Sequence, residues 1–284
     1  FNESLQINPN DSECYSNRGV VNFKLKKIEE AISDYKKAIS IDKNNYNAFF
    51  NLGNLYKEIN KLDESIENLS EAIKINKNFY NAYHNRAVVK RLLFRFEDAI
   101  KDFDEALKIN PKYFDSLFFK AITQLKIGDY ENGWKNYEYR WGATNFPSPK
   151  RIFRQPCWNG IDDLNDKIIL LHGEQGLGDN IHFSRYFCLI KSKAKKTILQ
   201  VDKKLVQLFK DSNFGNYIFS NNEKLPYFDI HCPLLSLPYK FSTTLNNIPF
   251  NDKYLFPNID RVVKWKKTFD NKFYNVGINW QASP

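Results

Sequence analysis

Small and large residues recur with a period of 34 along the first half of the chain, and the repeat ends near Arg140. If each unit is numbered from its first residue, small residues occupy positions 8, 20 and 27, and large residues occupy positions 4 and 24. Small residues let two helices approach closely, and large ones fill the remaining space between them. The pattern therefore predicts two helices in each unit. The units begin at Ser12, Tyr46, Tyr80 and Phe114.

The small positions are occupied by Gly19, Gly53, Ala87 and Ala121 at position 8, by Ala31, Ser65, Ala99 and Gly133 at position 20, and by Ala38, Ala72 and Ala106 at position 27. This pattern resembles the tetratricopeptide repeat, whose period is also 34. The resemblance covers three full units, 12–45, 46–79 and 80–113, and a partial fourth, 114–141. It implies a right-handed superhelix with a concave groove.

An asparagine occupies position 6 of all three full units, at Asn17, Asn51 and Asn85. A side-chain amide both donates and accepts hydrogen bonds, so a row of amides can hold a peptide backbone without reading its side chains. The row resembles the asparagine ladder of O-linked N-acetylglucosamine transferase, which implies a protein or peptide partner in the groove. Phe119 takes this position in the fourth unit. The alternative is that the alignment reflects only the abundance of asparagine in the chain.

The chain changes character after the repeats. Trp134, Tyr137 and Trp141 are predicted to pack as an aromatic cap on the last repeat, followed by an extended linker over 142–160. Apolar runs then alternate with amphipathic segments, which predicts a Rossmann-like parallel sheet. The predicted strands are 167–174, 197–202, 216–220, 228–232 and 274–280, and the predicted helices include 181–193 and 261–269.

A glycine-rich turn, EQGLGD at 174–179, follows the first predicted strand and opens the first predicted helix. Ligands bind at such turns, because strand carboxyl ends and helix amino ends converge there. Gly176 and Gly178 are expected to allow a tight turn and close approach by a phosphate or sugar. The turn is not the dinucleotide motif GxGxxG, because residue 181 is isoleucine, and it lacks the GK[ST] of a P-loop. A dinucleotide site is therefore disfavoured.

Several titratable residues lie in or beside this turn. Asp179 is either a catalytic base or only an N-terminal helix cap, where aspartate is favoured in any case. His182, three residues further on, is either a base or acceptor contact, or a packing histidine. His172 and Glu174 are further candidates at the strand end. Arg185 could meet an anion, although a solvated salt bridge is the simpler expectation.

The second half resembles the glycosyltransferase-like domain of bacterial tetratricopeptide proteins, and is similar to heptosyltransferases. These are GT-B enzymes, in which two Rossmann-like domains face each other across a cleft. The resemblance lies in EQGLGDNIHFSRY (174–186), DIHCPLLSLPYKFSTTLNNIP (229–249) and VGINWQASP (276–284). It implies that Asp179 is the general base that deprotonates the acceptor hydroxyl. It also implies that amides around Gly176, Leu177 and Gly178 lie near the donor phosphates, and that Ser283 begins a further phosphate loop.

The combined prediction is an α + α/β chain: a repeat solenoid at 1–141, a linker at 142–160, and the N-terminal Rossmann-like domain of a GT-B fold at 161–284. The predicted function is the acceptor-side half of a metal-independent glycosyltransferase. It would transfer a sugar from a nucleotide-sugar, which is a substrate and not a cofactor, to an acceptor docked by the repeats. Because the second domain would begin at residue 276, the chain is expected to be a fragment that is inactive alone. The alternative is a non-catalytic interaction scaffold with a degenerate domain.

The charge and composition of the chain bear on which ligands it binds and where in the cell it acts. The net charge is +9, and residues 143–284 hold 20 Lys and Arg against 12 Asp and Glu. This excess suits an anionic ligand such as a nucleotide diphosphate, or is simply a cationic surface. No basic run is interleaved with aromatics, so nucleic-acid binding is not predicted.

The four cysteines lack metal-ligand spacing and are expected to be reduced thiols in a cytoplasmic protein. No apolar run approaches the roughly 20 residues of a membrane span.

Overall fold

The computed structural model describes residues 1–144, 146–249 and 253–268, and it divides into two compact units, Phe1–Pro149 and Lys150–Pro284. Ser283 and the strand predicted at 274–280 lie outside the described residues. In the described part of the chain, no helix combines the length and the apolar character needed to cross a lipid bilayer.

The first unit is a series of helical hairpins, and each of its four complete hairpins coincides with one predicted repeat. A short helix precedes them. The helices are α1 (Asn2–Ile7), α2 (Ser12–Lys24), α3 (Ile28–Ile41), α4 (Tyr46–Glu58), α5 (Leu62–Ile75), α6 (Tyr80–Leu92), α7 (Phe96–Ile109), α8 (Phe114–Lys126) and α9 (Tyr130–Tyr137). The prediction of two helices in each unit is therefore confirmed. In each hairpin, the first helix is the even-numbered one and the second helix is the odd-numbered one.

The two helices of a hairpin touch at position 8, which explains why only small residues occur there. A Cβ added to Gly19 would lie 2.7 Å from Cε1 of Tyr35, and one added to Gly53 would lie 2.8 Å from Cγ of Leu69. Ala87 tolerates its Cβ and is fully buried in the same core as Phe103. Close packing at this position leaves no room for a larger side chain.

Every first helix ends at a residue with left-handed backbone at position 15 of the repeat. The residues are Lys26 (φ 64°), Asn60 (φ 59°), Phe94 (φ 58°) and Gly128 (φ 87°). The next residue then donates its N–H to the carbonyl five residues back, as Lys27 does to Asn22 at 2.9 Å, which closes a Schellman motif. Three of these four turns lack the glycine that usually marks a helix end.

Ion pairs join the two helices of the first and third repeats. Arg18 pairs with Asp34 at 2.6 Å, and Arg86 pairs with Asp102 at 2.7 Å. Lys90 also contacts Asp102 at 2.7 Å. Both aspartates are buried, so their charge depends on these cations for compensation.

The cation at position 7 also reaches back to position 25 of the preceding repeat. The pairs are Arg18 with Asn2 at 2.9 Å, Arg86 with Ser70 at 3.0 Å, and Lys120 with Asp104 at 2.6 Å. In the second repeat this position is Leu52, which is buried in an apolar cluster instead. Polar contacts of this kind therefore link some neighbouring repeats and not others.

A buried histidine lies at the contact between the third and fourth repeats. His84 is 7% exposed, and its Nδ1 lies 2.8 Å from Oγ of Ser116. The rings of Phe103, Tyr113 and Phe119 surround it at centroid distances of 5.0 to 5.6 Å. Burial lowers the pKa of His84 from its ordinary value of 6.5 to about 4, because the charged imidazolium is poorly solvated there.

The second unit contains a four-stranded parallel sheet with strand order β3-β2-β1-β4. Its elements are β1 (Ile168–His172), α10 (Leu177–Phe183), α11 (Phe187–Lys191), β2 (Lys196–Val201), α12 (Lys203–Asp211), β3 (Ile218–Ser220), β4 (Ile230–Pro233), α13 (Leu237–Lys240) and α14 (Ile259–Lys266). Since β2 and β3 lie on one side of β1 and β4 lies on the other, the direction of the connections reverses between β1 and β4. In open parallel sheets, ligands bind at the carboxyl end of the strands at this point.

The predicted and observed elements of this unit differ in their bounds. The four strands predicted before residue 250 are present, and the first is shorter than predicted. The helix predicted over 181–193 is divided into α10 and α11 by one turn of 3-10 helix. The segment predicted as a linker to residue 160 includes Cys157, which forms a parallel bridge with His231 at the free edge of β4.

We expect Asp102→Ala to lower the free energy of unfolding by about 2 kcal/mol, because it leaves Arg86 and Lys90 without their shared carboxylate. The measurement is urea denaturation followed by circular dichroism. The matched control is Asp104→Ala, which removes a more exposed carboxylate from Lys120 and should cost less than about 1 kcal/mol. Equal losses in the two variants would contradict the importance of the buried pair.

We expect acid to destabilise the protein partly through His84. Below about pH 6.5 the unfolded chain binds a proton at this histidine, whereas the folded chain does so only near pH 4. The contribution is therefore intact above pH 6.5 and is lost as the pH falls towards 4, by roughly 3 kcal/mol in total. Urea unfolding of wild type and His84→Gln, from about pH 7 to about pH 4.5, measures it. Parallel stability curves for the two proteins would show that His84 titrates normally.

Candidate functional site

The predicted asparagines lie on the first helices of three consecutive repeats. These first helices, α2, α4, α6 and α8, contact one another more extensively than the second helices do, which places them on the inner side of the array. Nδ2 of Asn85 donates to Oδ1 of Asn54 on the preceding first helix at 2.7 Å. Asn17 is exposed, and Asn51 and Asn85 are half-buried. The inner face of the array therefore carries amide groups from successive repeats.

Two cations at position 12 lie on the same first helices. Lys57 pairs with the exposed Glu58 at 3.2 Å. The guanidinium of Arg91 stands over the ring of Phe119, with Cζ 5.4 Å from the centroid, and its Nε is buried without a hydrogen-bond partner. Burial lowers the pKa of Arg91, and no carboxylate of the described residues lies within ion-pair distance of it. A half-buried cation in this condition would be stabilised by an anionic partner.

The turn after β1 is fixed by residues other than its two predicted glycines. Gln175 has the left-handed backbone, with φ of 58°, and a Cβ added to Gly173 would lie 2.1 Å from Oδ1 of Asn180. Neither Gly176 nor Gly178 has a positive φ. The left-handed backbone of the turn therefore lies at Gln175, and the close approach by a phosphate or sugar expected at Gly176 and Gly178 stays a prediction. Gly173 packs against Asn180, whose Nδ2 donates to the carbonyl of Gly176 at 2.8 Å.

Asp179 acts as a helix cap in this structure. Its Oδ2 accepts the N–H of Gly176 at 3.1 Å, which satisfies one of the free backbone donors at the start of α10. Leu177 and Gly178 are exposed, and a Cβ added to Gly178 would contact nothing within 4 Å. The turn therefore leaves open space beside the predicted phosphate-facing residues. Their roles as donor-phosphate ligands, and that of Asp179 as a base, remain predictions.

His182 and Arg185 lie at the other end of α10. The ring of His182 is exposed and contacts Phe183, while desolvation and the nearby Arg185 lower its pKa. Arg185 donates from Nε to the carbonyl of His182 at 2.9 Å and stands over the ring of Tyr254 at 5.2 Å. Arg185 thus packs against its own helix and an aromatic ring. The catalytic assignment of His182 stays a prediction.

Two histidines meet across the neighbouring strands at the point where the connections reverse. Nε2 of His172, on β1, lies 3.2 Å from Nδ1 of His231, on β4, and both rings are buried. One ring must donate and the other accept in this contact. The ring of Phe153 covers both, with centroids 5.3 and 4.6 Å away. Burial, followed by the charges of Arg151 and Lys150, lowers the pKa of His231.

Sequence reasoning identified His172 and missed its partner. His231 lies inside a predicted strand, where a histidine ordinarily packs, and only the pairing of β1 with β4 brings the two together. Asn54 and Arg91 were also missed, because each of these residue types occurs at its repeat position in a single unit.

Within the described ranges, no group of three His, Cys, Asp or Glu side chains is arranged to hold a metal ion. Among the described residues, no disulfide joins Cys14, Cys157, Cys188 or Cys232.

Comparison with known proteins identifies the repeats. A model of the TPR repeat matches residues 23–60 and 53–90, and a model of the tetratricopeptide repeat matches residues 80–113. No protein with a curated description matches the chain.

Several solved structures resemble the chain over about half its length. The crystal structure of MamA is 20% identical and has a TM-score of 0.46, covering 49% of this chain and 81% of that one. YrrB, described as a TPR protein with an unusual peptide-binding site, is 16% identical with a TM-score of 0.45, covering 50% and 79%. PilF of Pseudomonas aeruginosa is 20% identical with a TM-score of 0.47, covering 49% and 63%. The family matches confirm the sequence prediction that the first half of the chain is a tetratricopeptide-repeat solenoid.

Proposed function

We propose that the chain is a protein-interaction scaffold whose repeats bind an extended peptide segment of a partner protein. The observation that carries this proposal is the row of amide side chains on the inner helices. Asn17, Asn51 and Asn85 recur once per repeat, and Asn85 meets Asn54 of the preceding repeat. An amide can pair with both the N–H and the carbonyl of a peptide unit. Such a row suits a backbone that runs along the array.

The cations beside this row favour an acidic peptide. Arg91 is half-buried, and no described carboxylate pairs with it. Lys57, one repeat earlier, pairs with an exposed glutamate of its own helix. A glutamate, an aspartate or a terminal carboxylate of the peptide could form a charge-assisted hydrogen bond with either cation. The row of asparagines would supply affinity for any extended backbone, and the cations would supply a preference for charge.

A second candidate function is the acceptor-side half of a GT-B glycosyltransferase, with the repeats docking the acceptor. The observation that favours it is the parallel sheet of order β3-β2-β1-β4, with an open glycine-containing turn directly after β1. In this proposal Asp179 is the general base, assisted by His182. The amides of Gly176, Leu177 and Gly178 contact the donor phosphates, and Ser283 begins a second phosphate loop. The solenoid (1–141), linker (142–160) and catalytic domain (161–284) then have separate roles in a cytoplasmic enzyme that uses a nucleotide-sugar.

We expect the double substitution Asn51→Ala and Asn85→Ala to weaken peptide binding roughly tenfold or more, because each lost hydrogen bond contributes about 1 kcal/mol. The ligand is a fluorescent peptide selected by the wild-type protein from a random-peptide display library. The dissociation constant is measured by fluorescence anisotropy. Selected peptides should be rich in Asp and Glu, and Arg91→Gln should reduce that preference.

The matched control is the double substitution Asn44→Ala and Asn78→Ala. These two asparagines are also 34 residues apart, but they are exposed in the turns before α4 and α6. The control should bind the peptide as the wild type does. A library that yields no specific peptide, or equal loss in both double variants, would refute the proposed groove.

We expect Asp179→Asn to separate the two roles of this residue. The amide oxygen can still accept the N–H of Gly176, so the melting temperature should stay close to that of wild type. Asp179→Ala loses the cap and should destabilise the protein by about 1 kcal/mol. If Asp179 is also a base, Asp179→Asn should lower sugar transfer by about 100-fold or more.

The donor for that assay is found first, by measuring the melting temperature of the full-length protein with UDP-, GDP-, CMP- and ADP-linked sugars. A ligand that binds the native state raises it. A selective rise followed by normal turnover in Asp179→Asn would leave Asp179 as a cap only. No rise with any of these donors would remove the glycosyltransferase candidate and leave the scaffold.

A further inference from the structure

A buried polar row crosses the apolar sheet of the second unit near the carboxyl ends of its strands. On one face of the sheet, Leu170 and Ile198 form an apolar cluster with Phe228. Two residues further along β1 and β2, His172 and Gln200 lie side by side in the register, and each is 1% exposed. The segment that leads into the unit covers this face, because its Phe153 packs against the same cluster.

Arg151 belongs to this covering segment and reaches the polar row. It is half-buried, its guanidinium donates to Oε1 of Gln200, and its Cζ stands 5.0 Å from the ring centroid of Phe153. Gln200 is itself held in place, because its Nε2 donates to the carbonyl of Ser220 at 3.0 Å. The guanidinium is therefore held by a hydrogen bond to Gln200 and by contact with the ring of Phe153.

In the described part of the chain, no carboxylate lies within ion-pair distance of Arg151. A guanidinium has five N–H donors in a planar fork, and among the described residues the hydrogen-bond acceptor for this fork is Oε1 of Gln200. The charges of Arg151 and Lys150 lower the pKa of the nearby His231, after the larger effect of burial, so this histidine favours its neutral form beside the guanidinium.

A desolvated cation without a counter-ion is unfavourable to the fold. Burial lowers the pKa of Arg151, because the charged guanidinium is poorly solvated there. Replacing the arginine with a neutral residue would remove this penalty at the expense of one hydrogen bond. Titratable groups with perturbed pKa values cluster at functional sites.

We propose that Arg151 is the cationic centre of a binding site for the oxyanion of a small molecule, either a phosphate or a carboxylate. The planar fork matches two oxygens of either group. The fixed contacts to Gln200 and Phe153 hold the fork in place before the ligand arrives, so little side-chain entropy remains to be lost. The site lies towards the carboxyl ends of parallel strands, where open α/β sheets bind their ligands. The site belongs to the second unit, and it adjoins the turn that leads to Asp179, because the carbonyl of Gln200 accepts the N–H of Gly173 at 2.8 Å.

The test measures melting temperature with inorganic phosphate and, separately, with sodium acetate, at an ionic strength held constant with sodium chloride. Wild type should be stabilised by at least one of the two, with saturation at increasing concentration. Stabilisation by phosphate only, or by acetate only, shows whether the oxyanion of the ligand is a phosphate or a carboxylate. Arg151→Gln should abolish the response, and Arg151→Lys, which keeps the charge without the fork, should weaken it about tenfold or more.

The matched control is Arg154→Gln, which removes the same charge from an exposed arginine three residues away. It should respond to the probes as the wild type does. Without a probe, Arg151→Gln should melt no lower than wild type. The proposal fails if neither probe stabilises wild type, or if Arg151→Gln responds as strongly as wild type. It also fails if Arg154→Gln loses the response to the same extent, which would show a general effect of charge.

Discussion

The close contact at position 8 between the two helices of each repeat determines how the rest of the first unit is arranged. Gly19 and Gly53 allow the ring of Tyr35 and the side chain of Leu69 to rest directly on the opposite backbone. Since that contact recurs every 34 residues, each first helix is presented at a similar angle to the next one. A residue at any fixed position of the repeat therefore returns to the same face of the array. The amide row on the inner side is a consequence of this spacing, because side chains at position 6 follow the helices that carry them.

The second unit depends on a different constraint, which is the need to satisfy polar groups on a buried sheet. His172 and His231 satisfy each other, and Gln200 is satisfied by Ser220 and Arg151. These contacts hold the carboxyl end of the sheet together, where apolar packing gives way to polar residues. They also join the chain segment before β1 to the sheet. The polar row thus contributes to the fold and also fixes the groups available to a ligand.

Much of the first unit could be predicted from the sequence, because the same packing positions recur in each repeat. The turns at Lys26 and Phe94 could not, since lysine and phenylalanine rarely adopt left-handed backbone unless the surrounding hairpin requires it. In the second unit, the parallel strands were visible as apolar runs. The partners of His172 and Arg151 were not, because they come from residues 59 and 49 positions away. The same limit applies to Gly173, whose role depends on a contact with Asn180.

The position-7 contacts make the boundaries between repeats unequal. Arg86 and Lys120 carry charge-assisted contacts to the repeat before them, whereas Leu52 carries none, and the boundary between the first and second repeats is apolar at that point. Dissolved salt screens charged contacts and leaves apolar ones largely intact. Added salt therefore weakens the contacts that Arg86 and Lys120 make and leaves the contact of Leu52 largely unchanged, so the boundaries between repeats differ in their sensitivity to ionic strength.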